Sequence, residues 1–272
     1  MNNKKIFVPF DFTTTSEQSA KQAVSIAVKA NSSITLFNVK TDESKGNADH
    51  SVISEKLKEN AKQIISDGVE CDCQVAAGSI FDEIPKAANS LDNQLMLIGT
   101  HGIKGLKQKL LGADMLKLIR KVNIPCLVVQ SDCVCREYNP IIFPVGGHEG
   151  FEALVEATAM MAKLFGSEVH VYSVNRKGDD GSKKLKENTA FALKYFEDHK
   201  IPCKRVQDEP TVFSVGYAKQ TLLYANKVNA GLIAMMSIKT EEYYYFAQAD
   251  KEALINNEFK IPVLCSSGLM NN

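Results

Sequence analysis

An internal repeat constrains the fold of this chain more than any other sequence feature, because it divides the 272 residues into two similar halves. Three segments of the first half return in the second half: residues 6–10 as 141–145, residues 34–39 as 169–174, and residues 124–127 as 261–264. The first two pairs are 135 residues apart and the third is 137 residues apart. The sequence therefore predicts two copies of one domain, residues 1–131 and 140–272, joined by a polar linker at 132–139.

Short apolar runs alternate with helical patterns in each copy. In the first copy, apolar runs typical of strands lie at residues 7–10, 34–39, 95–98 and 126–129. Apolar and polar residues alternate at 69–77, which predicts a strand with one covered face and one wetter face. The first helical pattern has one apolar face, which contains Ala20, Ala23, Val24, Ala27 and Val28. Thr14 and Glu17 have the spacing of a capping box at the start of that helix.

This alternation predicts an α/β fold in which each copy is a five-stranded parallel sheet with helices on both faces. Sheets of this Rossmann-like kind bind ligands at the carboxyl ends of their strands, where the strand order reverses. We therefore expect the residues that follow the predicted strands to include the ligand contacts.

The composition excludes several classes of protein. Lys plus Arg and Asp plus Glu both number 32, which argues against a dedicated nucleic-acid-binding protein. No apolar run approaches the roughly 18 residues that a membrane-spanning helix needs. The apolar stretch at the N-terminus ends at Asp11, which is too soon for a signal peptide. Together with an odd number of cysteines, 7, this predicts a cytoplasmic protein with reduced thiols.

A glycine motif follows the fourth predicted strand. Gly99 and Gly102 are followed, after 9 intervening residues, by Gly112, where the last helix of the copy begins. Glycines at such a place let backbone N–H groups approach an anion, and a helix N-terminus adds a partial positive charge. Three lysines make the intervening loop cationic: Lys104, Lys107 and Lys109. The alternative interpretation is that the glycines only permit tight turns.

The spacing Gly-x2-Gly-x9-Gly, placed between the fourth strand and the last helix, resembles the universal stress protein family. Residues 6–11 are similar to the first strand of that family, which ends in an Asp that meets the nucleoside. Val39 matches a Val that lies against adenine. The resemblance covers the whole chain as two tandem domains, more weakly in the second. It implies the fold of the adenine nucleotide alpha hydrolases.

The resemblance implies a binding or sensing module for adenine nucleotide in the stress response, with the site in the first copy only. ATP or AMP is the implied ligand, with Mg²⁺ as a candidate companion ion and with no catalytic or metal-ligating residue. The implied contacts are Pro9, Asp11, Val39, Gly99, His101, Gly102, Gly112 and Ala113. Asp11 could accept hydrogen bonds from ribose or adenine, or it could cap the following helix. His101 could donate to a phosphate or be a bystander.

One position departs from the family pattern. Nucleotide-binding members have Ser or Thr after the third glycine, whereas this chain has Ala113 followed by Asp114. The missing hydroxyl removes a hydrogen bond worth about 1.5–3 kcal/mol to a charged group, and the Asp114 carboxylate would repel a polyphosphate. We therefore expect weak nucleotide binding.

The second copy lacks the motif altogether. Gly146 stands in place of Asp11, and Met236 stands in place of Gly99. Bulky and acidic residues at 239–246 replace the glycine loop. The sequence therefore predicts a second copy with a structural or regulatory role.

Other interpretations remain open from the sequence. A stress protein that binds no nucleotide and acts through structural or protein contacts is the main alternative, and slow ATP hydrolysis is a third.

The pairs Cys71/Cys73 and Cys133/Cys135 do not have zinc-ribbon spacing. The first pair is expected to pack as small hydrophobes, and the second is a candidate redox pair. Members of this family often dimerise through the last strand. The resemblance therefore implies that residues 126–129 pair with 263–265 within one chain, and a homodimer is a further candidate.

Overall fold

The computed structural model describes residues 4–41, 50–90, 92–100, 112–130, 137–146, 150–174, 183–209, 217–238 and 244–268. The chain divides between residues 133 and 134 into two compact units, unit 1 and unit 2. Each is a parallel sheet covered by helices, which confirms the predicted fold class. No helix among the described residues is long and apolar enough to cross a membrane.

Unit 1 contains five parallel strands in the spatial order β3-β2-β1-β4-β5. Its elements are β1 (Lys5–Pro9), α1 (Thr14–Ala30), β2 (Ser33–Lys40), α2 (His50–Ser66), β3 (Cys71–Ala77), α3 (Ile80–Ala88), β4 (Asn93–Thr100), α4 (Gly112–Ile119) and β5 (Cys126–Gln130). The order reverses at β1, which pairs with β2 on one side and with β4 on the other. The carboxyl ends of these three strands therefore form the expected ligand edge of unit 1.

Unit 2 repeats this topology in the order β8-β7-β6-β9-β10. Its elements are β6 (Ile141–Pro144), α5 (Phe151–Phe165), β7 (Val169–Val174), α6 (Lys183–Asp198), β8 (Cys203–Asp208), α7 (Ala218–Lys227), β9 (Leu232–Met236), α8 (Tyr244–Ile255) and β10 (Val263–Ser266). Ile141 of β6 pairs with Val169 and with Leu232, just as Ile6 of β1 pairs with Ile34 and with Leu95. The two registers therefore relate the paired positions of β1, β2 and β4 to positions of β6, β7 and β9.

The apolar runs form the core because both faces of each sheet carry helices. Val8, Leu36 and Leu97 are fully buried in unit 1. The predicted face of α1 is correct for Ala20, Ala23 and Ala27, but Val28 is 60% exposed and Ile26 is buried instead.

The start of α1 corrects a sequence prediction. The N-cap is Thr13, whose side chain accepts from the backbone N–H of Ser16, while the Ser16 hydroxyl accepts from the Thr13 N–H at 3.1 Å. The capping box is therefore Thr13/Ser16, and the predicted pair Thr14/Glu17 is wrong by one residue. A serine hydroxyl takes the place that a glutamate carboxylate usually fills in this motif.

The segment before β6 packs as part of unit 2. Tyr138 is only 4% exposed and its ring meets Phe165 edge-on at 4.7 Å. The Ser167 hydroxyl donates to the Tyr138 carbonyl oxygen at 2.6 Å. The N–H of Gly231 donates to the carbonyl oxygen of Pro140 at 3.0 Å, so the chain passes directly over the start of β9.

Candidate functional site

The ligand edge of unit 1 brings together most of the residues singled out in the sequence. Pro9 ends β1, and Asp11 lies two residues beyond it. Val39 lies at the end of the neighbouring strand β2, and Gly99 lies at the end of β4. Gly112 and Ala113 begin α4. His101 and Gly102, like the linker pair Cys133/Cys135 and the unit 2 segment 239–243, lie outside the described residues.

Asp11 is exposed, and hydrogen bonds hold its carboxylate in place. Its Oδ1 accepts from the Thr13 N–H at 3.1 Å and from the Thr13 hydroxyl at 2.5 Å. Its own N–H donates to the Ser16 hydroxyl at 3.3 Å. Within the described residues no hydrogen bond is made to its second carboxylate oxygen, Oδ2. The carboxylate therefore organises the start of α1 and still presents one acceptor at the edge.

The turn between β1 and α1 is tied to β2. The N–H of Phe10 donates to the Phe37 carbonyl oxygen at 2.7 Å, and the buried Asn38 side chain donates to the Phe10 carbonyl oxygen at 2.7 Å. Phe12 has a positive φ of 62° and its ring packs edge-on against Phe10 at 5.4 Å. Sequence analysis missed Asn38, because nothing in its sequence context marks a partner on another strand.

Gly99 has a packing role that the motif did not indicate. A Cβ at this position would collide with Cγ2 of Thr15 and would lie 3.0 Å from the Thr15 carbonyl oxygen. The first turn of α1 therefore approaches β4 too closely for any side chain at Gly99. This close approach fixes the start of α1, and with it Asp11, relative to the end of β4.

Two buried hydroxyls at the same edge have no hydrogen-bond partner among the described residues. They belong to Thr15, in the first turn of α1, and to Thr100, the last residue of β4. Both side chains are at most 2% exposed. A buried polar group without a partner costs about 1–3 kcal/mol, so these threonines are unusual at a position that serves packing alone.

The corresponding edge of unit 2 is filled by its own residues. By the shared register of β4 and β9, Met236 occupies the position of Gly99. A large side chain therefore stands where unit 1 has a glycine. Gly150 is the N-cap of α5. A Cβ at Gly268 would lie 3.3 Å from the Met236 methyl carbon and 3.5 Å from the Gly150 carbonyl oxygen, so Met236 fills this corner.

Two further side chains of unit 2 close the same edge. Lys251 is 2% exposed and its ammonium group donates to the carbonyl oxygen of Ile238. At the position of Asp11, the backbone carbonyl oxygen of Gly146 accepts from the Asn188 side chain at 2.8 Å. Gly146 has no side chain, so this position itself lacks the acceptor that Asp11 provides in unit 1.

Away from this edge, a buried histidine takes part in a hydrogen-bond network that connects β7, β8 and α7 of unit 2. Nε2 of His170 in β7 lies 2.8 Å from a Glu168 carboxylate oxygen, and Nδ1 lies 2.9 Å from the Tyr224 hydroxyl of α7. Lys204 donates to the same carboxylate oxygen at 2.9 Å. Tyr172 stacks on Tyr224 at 4.7 Å. With a neutral ring, Nε2–H donates to Glu168 and Nδ1 accepts from Tyr224, so every polar atom of the ring is satisfied.

We expect this histidine to make unit 2 less stable in mild acid. Burial, the largest cause, lowers the pKa of His170 below its usual 6.5, and the nearby Lys204 charge lowers it further, against the opposing effect of Glu168. The unfolded chain then takes up a proton first as the pH falls below 6.5. The free energy of unfolding should therefore fall by up to about 1.4 kcal/mol per pH unit until the folded-state pKa is reached.

Urea unfolding between pH 7 and 5 measures this effect. Lys204 and His170 lower the pKa of Glu168, so stability from Glu168 is lost only as the pH falls below its usual 4.5, outside this window. His170→Gln should flatten the profile, whereas His199→Gln, at an exposed histidine of the same unit, should leave it unchanged. An unchanged slope in His170→Gln would contradict the assignment.

Comparison with known proteins identifies relatives of both sequence and fold. Residues 2–130 match the family model described as the universal stress protein family. A universal stress protein of Methanocaldococcus jannaschii is 28% identical over 140 residues, which is 47% of this chain and 82% of that protein.

Two solved structures extend the similarity to the whole chain. A universal stress protein from Archaeoglobus fulgidus covers 98% of this chain and 99% of its own, with a TM-score of 0.77 and 18% identity. A protein of unknown function from Pseudomonas aeruginosa covers 97% of this chain and 92% of its own, with a TM-score of 0.64 and 16% identity. At these identities the structural likeness shows the fold.

Proposed function

Because residues 2–130 are a domain of the universal stress protein family and unit 2 repeats its fold, we propose that this chain binds an adenine nucleotide in unit 1 only. The module senses ATP or AMP and performs no chemical step on it. Unit 2 serves as a structural partner.

The Asp11 carboxylate carries this proposal. It stands at the point where the strand order reverses, and hydrogen bonds from Thr13 fix one of its oxygens. The other oxygen is open to hydroxyl groups of a ribose, and hydrogen bonds to a carboxylate are the stronger kind, worth about 1.5–3 kcal/mol each. Its fixed orientation lowers the entropy lost on binding.

Residues of the neighbouring elements support the same ligand. Val39 is half-buried at the end of β2 and offers an apolar surface to a base. Helix α4 begins at Gly112. The free backbone N–H groups at the N-terminus of a helix favour the binding of a phosphate. Asp114 in the first turn of α4 opposes that attraction. We therefore propose weak binding that discriminates little between ATP and AMP.

The filled edge of unit 2 supports binding at one site per chain. A nucleotide phosphate in unit 2 would have to displace the Met236 side chain from its buried corner. It would also meet no carboxylate at the position of Asp11. Both effects disfavour a nucleotide in unit 2.

Calorimetric titration with ATP and with AMP tests the proposal. We expect saturable binding at about one site per chain, weakened roughly 10-fold to 100-fold in Asp11→Ala, because 1.5–3 kcal/mol of hydrogen bonding is lost. Asp67→Ala, at another exposed aspartate of unit 1, is the matched control and should bind like the original chain. Circular dichroism establishes that each variant is folded.

The same titration also tests the second candidate function. A stress protein that acts only through protein contacts is favoured by Ala113 and Asp114, which leave the start of α4 without a hydroxyl donor and with a negative charge. No heat at millimolar nucleotide would reject nucleotide binding and leave that second function. Two sites per chain would reject the restriction to unit 1.

A further inference from the structure

Two thiols lie together on β3, away from the ligand edge. Cys71 and Cys73 are two positions apart in this strand, so both point to the same face of the sheet. The intervening Asp72 points to the opposite face and forms an ion pair with Lys5 at 2.8 Å. Both cysteines are free and half-buried. β3 is the first strand in the order of unit 1 and pairs only with β2 among the described strands of that unit.

The two thiols are close enough to act on each other electrostatically, and the strand that carries them packs against α2. The ammonium group of Lys58, on α2, is close enough to act electrostatically on Cys73. The side chains around this pair therefore combine two sulfur donors with one nearby positive charge.

We propose that Cys71 and Cys73 together bind one thiophilic monovalent cation of the Cu(I) class, with the two sulfur atoms as its only protein ligands. Thiolate sulfur is soft and selects Cu(I) over the harder divalent ions. Among the described residues, no group of three or more His, Cys, Asp and Glu side chains is arranged to hold a metal. Two donors do not complete the tetrahedral shell of zinc, but they do complete a linear shell.

The strand geometry suits a bridging ion better than a disulfide. Alternate residues of a strand have Cα atoms about 6.6 Å apart, which is close to the upper limit of about 6.8 Å for a disulfide. A disulfide draws the sulfurs to about 2.05 Å. Two metal–sulfur bonds of about 2.3 Å each let the sulfurs stay up to about 4.6 Å apart, so the strand need not bend.

Binding displaces two protons and changes no oxidation state. A cysteine thiol is ordinarily protonated near neutral pH, so each sulfur gives up a proton when it binds the ion. The step is M⁺ + 2 RSH → [M(SR)₂]⁻ + 2 H⁺, in which two S–H bonds break and two M–S bonds form. The complex carries one negative charge, which the Lys58 ammonium offsets.

Anaerobic titration with Cu(I), in competition with a coloured Cu(I) chelator, tests the proposal. The full-length chain is used with Cys133→Ser and Cys135→Ser, because that second Cys-x-Cys pair would compete for the ion. We expect one Cu(I) per chain. Adding Cys73→Ser or Cys71→Ser should weaken binding at least 100-fold, whereas Cys203→Ser, at a half-buried thiol of unit 2, should have no effect.

The pH dependence of the Cu(I) affinity shows whether one thiolate or two bind the ion. Release of two protons predicts that the affinity rises about 100-fold per pH unit, whereas one thiolate ligand gives about 10-fold. Binding of less than one ion in the starting variant, a 10-fold slope, or retained binding in both Cys71→Ser and Cys73→Ser would each overturn the proposal. Circular dichroism of each variant shows that a loss of binding is not a loss of fold.

Discussion

Gly231→Ala is expected to destabilise unit 2 by about 3 kcal/mol or more, because the added methyl group has no space. A Cβ at Gly231 would collide with the carbonyl oxygen of Glu137 and the N–H nitrogen of Asn139, and would lie 2.8 Å from Cα of Tyr138. All three are backbone atoms, which cannot rotate away as a side chain can. Equilibrium urea unfolding measures the loss, and hydrogen exchange assigns it to unit 2.

Gly166→Ala is the matched control in the same unit. This glycine has a positive φ of 65°, and a Cβ there would meet nothing within 4 Å. Its replacement should cost only the strain of a left-handed alanine, about 1–2 kcal/mol. Equal losses in the two variants would show that the segment over Gly231 yields to the methyl group, and would contradict the prediction.

Gly99→Ala is expected to destabilise unit 1 by about 2–3 kcal/mol and, under the proposed function, to weaken nucleotide binding at least 10-fold. The new methyl group would push the first turn of α1 away from β4, and Asp11 would move with it. Thr15→Ser removes the Cγ2 atom that the methyl group meets first. The double variant should therefore recover at least about 1 kcal/mol of the stability lost in Gly99→Ala.

A double-mutant cycle of stability isolates this contact. Recovery should be incomplete, because the Thr15 carbonyl oxygen, 3.0 Å from the added Cβ, remains in place. Thr15→Ser alone should change the free energy of unfolding by less than the glycine substitution does. Strict additivity of the two changes would mean that the cost of Gly99→Ala arises elsewhere, and would reject the role assigned to the α1–β4 contact.

The strands and helices were predictable because their signals are local. Runs such as the one containing Val8 are buried under helices on both faces, so their hydrophobicity is continuous. The start of α1 was harder to predict. Three consecutive threonines could each serve as the N-cap, and only the fold selects Thr13. The buried stripe of α1 ends with Ile26 and Ala27, and Val28 is exposed.

The site was predictable only in part, for a different reason. The sequence indicated the glycines through their spacing, and it indicated Asp11 through its place after the first strand and the family resemblance. Their packing partners come from distant parts of the sequence: Thr15 for Gly99, and Asn38 for the turn after β1. The contact between Gly231 and the segment before β6 likewise depends on the path of the chain and leaves no periodic pattern.

The filled edge of unit 2 has a consequence for protein turnover under the proposed function. A ligand that binds only folded unit 1 stabilises it by RT ln(1 + [L]/Kd), roughly 2.7 kcal/mol at a 100-fold excess over Kd. Unit 2, with Met236 in its corner, gains no such increment. When cellular nucleotide falls, unit 1 alone would open more often to proteases. The abundance of the chain would then follow the nucleotide supply without any change in its synthesis.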